Sequence, residues 1–189
     1  MFILVVTVGV IQIAFWAYWF VSAIQNRSAY KRRQSGRAML PIILTLVLIW
    51  GFIGTQVSPG LTLQRVIPDG VVPGLIGILI TILGLGFAVW ARVHLGRNWS
   101  SRPGIKVDHK LIRTGPYRFV RNPIYTGILI GYAGTAVVIG ELWAFVLILF
   151  VLVAFLGKIY AEEKLLLEEF GDAYLQYRRE VKALIPYLL

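Results

Sequence analysis

The first 24 residues form an apolar stretch that is long enough to cross a lipid bilayer. They contain no Asp, Glu, Lys or Arg. A helix needs about 20 predominantly apolar residues to span the hydrocarbon core of a membrane. A cleaved secretory signal would begin with basic residues and carry a shorter apolar core. The stretch therefore predicts a retained transmembrane helix at residues 2–24.

Four further apolar segments follow, at roughly residues 39–57, 71–91, 124–140 and 142–157. Hydrophobic residues make up 58% of the 189-residue chain, whereas soluble domains contain about 45–50%. Only Gly140 and Glu141 separate the last two segments, which predicts a tight helical hairpin. Both are shorter than a full span, so we expect them to span incompletely or to enter from one side. The sequence thus predicts an all-α integral membrane protein with about five transmembrane helices.

The basic residues lie almost entirely on one predicted side of the membrane. Of 19 Lys and Arg residues, only Arg65 falls in the loop 58–70, and the others fall in 25–38, 92–121 and 158–182. Cytoplasmic loops of membrane proteins carry an excess of Lys and Arg. We therefore expect a cytoplasmic C-terminus and an external N-terminus, in a prokaryotic plasma membrane. The net charge of +10 predicts contact with anionic membrane lipid rather than with nucleic acid.

A charged segment after the hairpin has the pattern of an amphipathic helix. Within 159–181, apolar residues recur at three- or four-residue spacing, at Leu166, Phe170, Tyr174, Tyr177 and Val181. That spacing places them on one helical face. Such a helix lies on the bilayer surface or caps the cytoplasmic end of the bundle.

Polar residues that could carry chemistry are concentrated in the second half of the chain, within 92–126 and 158–182. We therefore expect residues 1–91 to form a three-helix membrane anchor. Residues 92–189 are expected to form the half that binds cofactor and substrate.

The composition argues against a metal site. The chain contains no Cys and only two His, His94 and His109. Thiolate and imidazole groups are the usual ligands of zinc and related metals. We expect no metal and no thiol nucleophile, and we expect both His residues to be polar loop residues rather than acid–base catalysts.

Residues 115–127, Gly-Pro-Tyr-Arg-Phe-Val-Arg-Asn-Pro-Ile-Tyr-Thr-Gly, form the first candidate site. Gly-Pro favours a turn, and Pro123 suits the first turn of the following helix. The start of a helix offers free backbone N–H groups that bind carboxylates. Tyr117 and Tyr125 could stack on a planar base or a cation. The alternative is a plain loop that enters a membrane helix, with its arginines at the lipid headgroups.

Glu162 and Glu163 form a second candidate site, in a chain with only nine Asp and Glu residues. One of these carboxylates could bind an ammonium group or a ribose hydroxyl. Lys158, one helical turn earlier, could reach an anionic group of a substrate. The alternatives are acids that only complement a helix end or face solvent, and a lysine that extends from the bilayer to the headgroups.

Residues 95–100, Leu-Gly-Arg-Asn-Trp-Ser, form a third polar segment. Trp and Arg are typical of a membrane interface. We expect Arg97 and Trp99 either to anchor the chain at the headgroup layer or to belong to the candidate site.

Taken together, these motifs resemble the isoprenylcysteine carboxyl methyltransferase family, which is similar to membrane phospholipid N-methyltransferases. The family pattern has His-x-Leu-Val, Gly-x-Tyr and Arg-His-Pro-x-Tyr before a helical hairpin, and Glu-Glu, Phe-Gly and paired tyrosines after it. The matching residues here are His109–Ile112, Gly115–Tyr117, Arg121–Tyr125, Glu162–Glu163, Phe170–Gly171, Tyr174 and Tyr177. The similarity covers roughly residues 92–187.

The resemblance implies a membrane methyltransferase that uses S-adenosylmethionine, releases S-adenosylhomocysteine, and acts on a lipophilic or prenylated substrate. It places the cofactor at His109, Lys110, Leu111, Ile112, Tyr117, Asn122, Pro123, Ile124, Tyr125, Glu162 and Glu163. It places Lys158 and Arg121 at the substrate, with Lys158 and Asn122 as the catalytic residues.

Two positions depart from the family pattern. Asn122 stands where the family usually has His, and an amide cannot titrate as a base. Lys158 stands where the family has Arg, and it lacks the bidentate fork that suits a carboxylate. A substrate carboxylate is nucleophilic once ionised, so the scarcity of bases favours carboxyl methylation. Lys158 leaves the prenylcysteine substrate open.

Three other interpretations fit parts of the sequence. One is a phospholipid-type N-methyltransferase. Another is a steroid-reductase-like NADPH oxidoreductase, which would need a 2′-phosphate site among the arginines of 92–121, and which Glu162 and Glu163 disfavour. The third is a non-enzymatic lipid-binding protein, which Asn122 and Lys158 favour and which predicts no cofactor affinity.

Overall fold

The computed structural model describes residues 2–25, 30–33, 65–99, 104–106 and 110–185. The predicted span at 39–57 and the predicted site residue His109 lie outside these ranges. The described helices are α1 Phe2–Gln25, α2 Val71–Leu95, α3 Pro123–Ile139, α4 Leu142–Phe170 and α5 Asp172–Glu180. Two short strands, β1 Tyr30–Arg33 and β2 Gly104–Lys106, and two 3₁₀ turns, Gly96–Asn98 and Gly115–Arg118, accompany them.

Three of the described helices are long and apolar enough to span a membrane: α1 as Phe2–Ile24, α2 and α4. Much of their apolar surface is exposed, and Leu79, Leu83 and Phe150 are each more than half exposed. An apolar surface this extensive is a membrane contact rather than a water-facing one. α3 is apolar but has only 17 residues. The fold is therefore that of a mostly helical membrane protein.

α2 and α3 pack closely through glycines. A Cβ atom built on Gly84 would lie 2.4 Å from the backbone nitrogen of Gly131. A Cβ atom built on Gly77 would lie 2.7 Å from the Gly134 carbonyl oxygen. Between them, the Thr81 hydroxyl lies 2.9 Å from the Gly77 carbonyl oxygen and 3.3 Å from that of Gly131. Small residues let membrane helices approach, and the resulting packing holds them together. This contact fixes the position of α3, which carries the candidate site.

The predicted hairpin joins α3 to α4. Gly140 ends α3 with a φ of +75°, in the left-handed region that favours glycine at a helix end. The backbone N–H groups of Val66 and Ile67 donate to the Gly140 carbonyl oxygen at 2.8 and 3.1 Å. The segment before α2 and the hairpin turn therefore lie at the same end of the helices.

The prediction for the second half of the hairpin was wrong in length. We expected a short span at 142–157 and a separate tail helix at 159–181, whereas α4 is one continuous helix of 29 residues. The helix ends instead at Gly171, whose φ is +50°, and α5 follows. Hydropathy falls after residue 157, but the Lys, Glu, Ala and Leu residues that follow are strong helix formers. Polarity therefore changes along α4 without ending it.

The prediction of an all-α chain missed a short antiparallel ribbon. β1 pairs with β2, and Tyr30 lies opposite Lys106. Strands this short carry no alternation of apolar residues that a sequence pattern could reveal. The ribbon joins two of the basic regions, and the third reaches them through hydrogen bonds between 121–126 and 182–184. All three basic regions therefore lie at the same end of the helices.

Candidate active site

The first turn of α3 meets the charged half of α4. Tyr125 donates a hydrogen bond from its hydroxyl to Oε2 of Glu162 at 2.9 Å. Lys158 places its Nζ 4.0 Å from Glu162 Oε1 and 5.4 Å from the centre of the Tyr125 ring. The Tyr125 ring also packs on Phe155, with 4.7 Å between ring centroids. We call Tyr125, Lys158 and Glu162 the Glu162 cluster.

The Glu162 cluster retains capacity to bind a ligand. The side chains of Lys158 and Glu162 are each 25% exposed. A carboxylate offers about four lone-pair sites, and the Tyr125 hydroxyl occupies one of them. The arrangement can therefore accept a hydrogen bond from an ammonium or hydroxyl group while it presents a cation to an anionic group.

The start of α3 adds backbone donors beside this cluster. In the first turn of α3, the Thr126 N–H donates a hydrogen bond to the Asn122 carbonyl oxygen at 3.1 Å. The preceding N–H groups of Ile124 and Tyr125 have no acceptor within the helix, as is general for a first turn. Pro123 and Ile124 are themselves buried. These donors suit a carboxylate or another acceptor group.

A second ion pair lies beside the Glu162 cluster. Arg121 places a terminal nitrogen 2.8 Å and its Nε 3.0 Å from Oε1 of Glu163. The two side chains are only 9% and 13% exposed. Another Arg121 nitrogen donates to the carbonyl oxygens of Arg178, at 3.2 Å, and Val181. Arg121 and Glu163 thus bind each other and tie α3 and α4 to the C-terminal residues.

Residues 181–185, which we call the C-terminal strap, cross the start of α3. The backbone N–H groups of Arg121 and Asn122 donate to strap carbonyl oxygens at 2.8 and 3.0 Å. The Asn122 side-chain amide lies 3.3 Å from the second of these oxygens. The Thr126 hydroxyl donates to the carbonyl oxygen of Leu184 at 2.8 Å, and Leu184 is 1% exposed. The Asn122 amide therefore holds the strap.

Tyr117 connects α2 to α5. Its hydroxyl donates to the Ala91 carbonyl oxygen at 3.4 Å, and its own carbonyl oxygen accepts from the Tyr177 hydroxyl at 2.5 Å. Burial raises the pKa of Tyr117 far above its ordinary value, and the Glu162 carboxylate acts in the same direction. Burial also raises the pKa of Tyr174 and of Tyr177. These phenols are neutral at physiological pH and act as hydrogen-bond donors.

Two residues that we expected in exposed positions are held by the fold. His94 lies in the last turn of α2 rather than in a loop, with its Nε2 2.9 Å from the Thr114 hydroxyl. Trp99 is 5% exposed and packs edge-on against Trp19, with ring centroids 5.5 Å apart. The Trp99 ring therefore packs inside the fold against α1, and its place at the headgroup layer stays a prediction.

The other predicted cofactor residues lie on the segment before Tyr117. Lys110 is exposed, and its backbone N–H donates to Oδ1 of Asn98 at 2.9 Å. Leu111 and Ile112 are half-buried, and Ile112 packs against the core that contains Tyr117. This segment is therefore linked to the site through Tyr117. Among the described residues, no contact joins Lys110 to the Glu162 cluster.

Sequence reasoning missed Arg92. It was counted only as one of the basic residues of 92–121, but it lies inside α2, is 8% exposed, and stacks its guanidinium 4.0 Å from the centre of the Trp99 ring. The available signal was an ionisable residue within the last turns of an apolar helix, a position that marks functional sites in membrane proteins.

The sequence matches a family model over more than half of its length. Residues 73–173 match the model described as phospholipid methyltransferase. The chain belongs to the phospholipid methyltransferase family. The match begins in α2 and ends in the first turn of α5, so it includes the hairpin, the Glu162 cluster and the pair of Arg121 and Glu163.

Curated proteins similar to this chain carry more specific names. Protein-S-isoprenylcysteine O-methyltransferase of Schizosaccharomyces pombe is 37% identical over 101 residues, covering 52% of this chain and 43% of that protein. Its namesake in Saccharomyces cerevisiae is 33% identical over 116 residues, covering 60% and 48%. Methanethiol S-methyltransferase 1 of Bradyrhizobium diazoefficiens is 38% identical over 73 residues, covering 38% and 24%. The chain spans less than half the length of each of these relatives.

A solved structure also shares the fold. The structure of the eukaryotic intramembrane Ras methyltransferase, an isoprenylcysteine carboxyl methyltransferase, superposes with a TM-score of 0.60 and 25% sequence identity. The superposition covers 82% of this chain and 55% of that chain. The resemblance inferred from the motifs of residues 109–177 is thereby confirmed.

Proposed function

We propose that the chain is an S-adenosylmethionine-dependent membrane methyltransferase that acts on the carboxylate of a lipophilic substrate, of the isoprenylcysteine type. The observation that carries this proposal is the contact of Tyr125 and Lys158 with Glu162. It joins the residues of two separate family motifs into one partly exposed cluster. The family match and the names of the relatives support methyl transfer over the NADPH-dependent alternative.

The residues of the site fit this cofactor. S-adenosylmethionine carries an ammonium group, a carboxylate, ribose hydroxyls and a planar base. Glu162 has lone pairs for the ammonium or a ribose hydroxyl, and the first N–H groups of α3 suit the carboxylate. Lys110, Leu111, Ile112 and Tyr117 then form the side against which the resemblance places the rest of the cofactor. When bound, the cofactor supplies a methyl group already activated on a sulfonium.

On the substrate side, Lys158 would hold an anionic group next to the cofactor site. Holding the two reactants in line lowers the activation barrier, because the entropy cost of bringing them together is met when they bind. A carboxylate acceptor needs no base, which agrees with the neutral phenols of Tyr117 and Tyr177. We assign Asn122 a positioning role instead of the predicted catalytic one, because its amide holds the C-terminal strap.

Arg121 and Glu163 receive structural roles in this proposal. The resemblance placed Arg121 at the substrate and Glu163 at the cofactor. Their side chains are buried against each other, and the remaining Arg121 donors are engaged by backbone carbonyl oxygens. Neither residue therefore has an obvious free group to offer a ligand.

The orientation follows from charge. We propose that the basic end of the helices faces the cytoplasm of a prokaryotic cell, with the N-terminus outside and the C-terminus inside. Residues 1–91 would then be mainly an anchor, and residues 92–189 would bind the cofactor and a lipophilic or prenylated substrate at the cytoplasmic membrane surface, next to anionic lipid.

Phospholipid N-methylation is the second candidate, and the description of the matching family favours it. An amine acceptor must be deprotonated before it can attack a methyl group. Methyl transfer from labelled S-adenosylmethionine to N-acetyl-S-farnesylcysteine, compared with transfer to phosphatidylethanolamine vesicles, separates the two candidates.

Cofactor binding is the first test. The detergent-purified protein should bind S-adenosylhomocysteine saturably in a calorimetric titration. Glu162→Gln should weaken binding by about tenfold, since a charge-assisted hydrogen bond is lost, whereas Glu169→Gln, an exposed acid on the same helix, should leave it unchanged. Absence of binding by a folded sample would overturn the proposal, and a parallel NADPH titration would then test the reductase alternative.

A further inference from the structure

Arg92 is a buried cation that has no acidic partner in the described parts of the chain. Its side chain donates one hydrogen bond, to the Gly96 carbonyl oxygen at 3.3 Å, and stacks on Trp99. Its buried Nε has no hydrogen-bond partner in the part of the chain that the structure describes. None of the ion pairs among those residues includes Arg92.

This arrangement is costly unless another group completes it. Removing a charged side chain from water is strongly unfavourable when no opposite charge is supplied. A guanidinium has five N–H donors in a planar fork, and the contacts of Arg92 use only part of that fork. A ligand with a negative charge and two acceptor oxygens would satisfy both the charge and the unpaired donor.

A row of aromatic rings leads away from Arg92 into the membrane. The Trp99 ring beneath the guanidinium contacts Trp19 of α1. Trp19 in turn packs on Phe15, with ring centroids 5.2 Å apart, and Phe15 packs edge-on against Trp16 at 5.3 Å. Phe15 and Trp99 are only 6% and 5% exposed, so their rings form an apolar wall beside Arg92. The cation and the aromatic row together match an amphiphile with an anionic head.

Tyr117 places Arg92 and the Glu162 cluster in the same part of the molecule. Its hydroxyl binds the carbonyl oxygen of Ala91, next to Arg92, and it interacts electrostatically with both Arg92 and Glu162. Trp99, Tyr117 and Tyr125 also belong to one buried core cluster. An anion bound by Arg92 would therefore lie on the α2 side of the candidate active site.

We propose that Arg92 binds the carboxylate of the lipophilic methyl acceptor, whose apolar chain enters past Trp19, a partly exposed ring of this row. The assignment of the ligand as methyl acceptor rests on the proposed function. Arg92 then makes the bidentate contact with this carboxylate, and Lys158 supplies a second positive charge to the same group.

The test compares three probes that differ only at the head: N-acetyl-S-farnesylcysteine, its uncharged methyl ester, and farnesyl phosphate. Their affinities are measured without cofactor, for the wild type, Arg92→Gln, Arg92→Lys and the control Arg179→Gln, which removes an exposed charge on α5. The wild type should bind the acid about tenfold more tightly than the ester. That ratio should fall to near one in Arg92→Gln, take an intermediate value in Arg92→Lys, and stay unchanged in Arg179→Gln.

An acid-to-ester ratio that is the same in Arg92→Gln and the wild type would overturn the proposal. Arg92-dependent binding that is tighter for farnesyl phosphate than for the acid would overturn the carboxylate assignment and indicate a phosphate site. Size-exclusion profiles show whether each variant is folded. If Arg92→Gln does not fold, an acid-to-ester ratio in Arg92→Lys equal to that of the wild type would overturn the proposal. Failure of the wild type to bind S-adenosylhomocysteine would count against the proposed function alone, because the probe ratio is read without cofactor.

Discussion

Arg121 and Glu163 form a buried ion pair, 2.8 Å between a guanidinium nitrogen and Oε1, that joins the start of α3 to α4. The same guanidinium donates to carbonyl oxygens of Arg178 and Val181. This pair of side chains thus connects the start of α3, α4 and the C-terminal residues beside the Glu162 cluster.

Glu163→Gln should destabilise the protein strongly. Removal of one partner leaves the other charge buried, which costs about 3–5 kcal/mol in comparable pairs. The matched control is Glu180→Gln, whose partner Arg113 is 35% exposed, and exposed pairs contribute less than about 1 kcal/mol. Fluorescence-detected thermal stability should therefore fall much further for Glu163→Gln. Equal losses in the two variants would contradict a structural role for the buried pair.

Tyr125→Phe should lower activity with a small effect on stability. The substitution removes the 2.9 Å hydrogen bond to Glu162 and keeps the ring packed on Phe155. We expect cofactor affinity to fall several-fold and stability to fall by about 1 kcal/mol. Tyr132→Phe is the control, because its buried hydroxyl lies near Trp16 but forms no well-aligned hydrogen bond among the described residues, and it should be close to neutral. An active Tyr125→Phe with wild-type cofactor affinity would argue against the Glu162 cluster as the site.

Gly84→Ala should disrupt the contact between α2 and α3. The added methyl group would lie 2.4 Å from the backbone nitrogen of Gly131, and overpacking of this kind costs about 1–3 kcal/mol. Gly86→Ala is the control, because a Cβ there meets nothing within 4 Å. Alanine is also the better helix former, so Gly86→Ala should be neutral or slightly stabilising. Thermal unfolding of the two purified variants in the same detergent measures this difference in stability.

Three of the predicted spans and the hairpin could be predicted because hydropathy is a property of local sequence. The contact of Gly84 with Gly131 could not, since glycine reads locally as a poor helix former, and its partner lies far along the chain. The end of α4 was misplaced for a related reason. A polar residue such as Lys158 ends an apolar segment without ending the helix that carries it.

The residues of the Glu162 cluster were singled out from the sequence, but their contacts were not. Glu162 and Glu163 are neighbours in sequence, so on a helix of 3.6 residues per turn they point about 100° apart. One therefore meets Tyr125 and the other meets Arg121, although the motif alone assigned both to the cofactor. Arg92 was missed because its burial and its contact with Trp99 become visible only when its surroundings are known.

The buried tyrosines should make stability fall in alkaline solution. Burial raises the pKa of Tyr177, against the opposing effect of Arg121 and Arg113, above its ordinary value of about 10. The unfolded chain then loses its proton first, so stability is retained up to about pH 10 and declines as the pH rises through the folded-state value. Tyr177→Phe should reduce that decline in melting curves from pH 7 to 11, whereas Tyr160→Phe, 76% exposed, should not. Identical slopes in the two variants would contradict the assignment.

The C-terminal strap should open when its buried anchor is removed. Leu184 is 1% exposed, and truncation of a buried leucine to alanine costs about 2–5 kcal/mol. Leu184→Ala should therefore release the strap from Thr126 and expose it to carboxypeptidase, which can be followed by mass spectrometry. The neighbouring Ile185→Ala, at a residue 51% exposed, should change cleavage little. The strap binds the backbone of Arg121 and Asn122 at the start of α3. Leu184→Ala should therefore lose cofactor affinity as well as protection from carboxypeptidase. Loss of protection with full cofactor affinity would show that the strap holds the chain end without shaping the site.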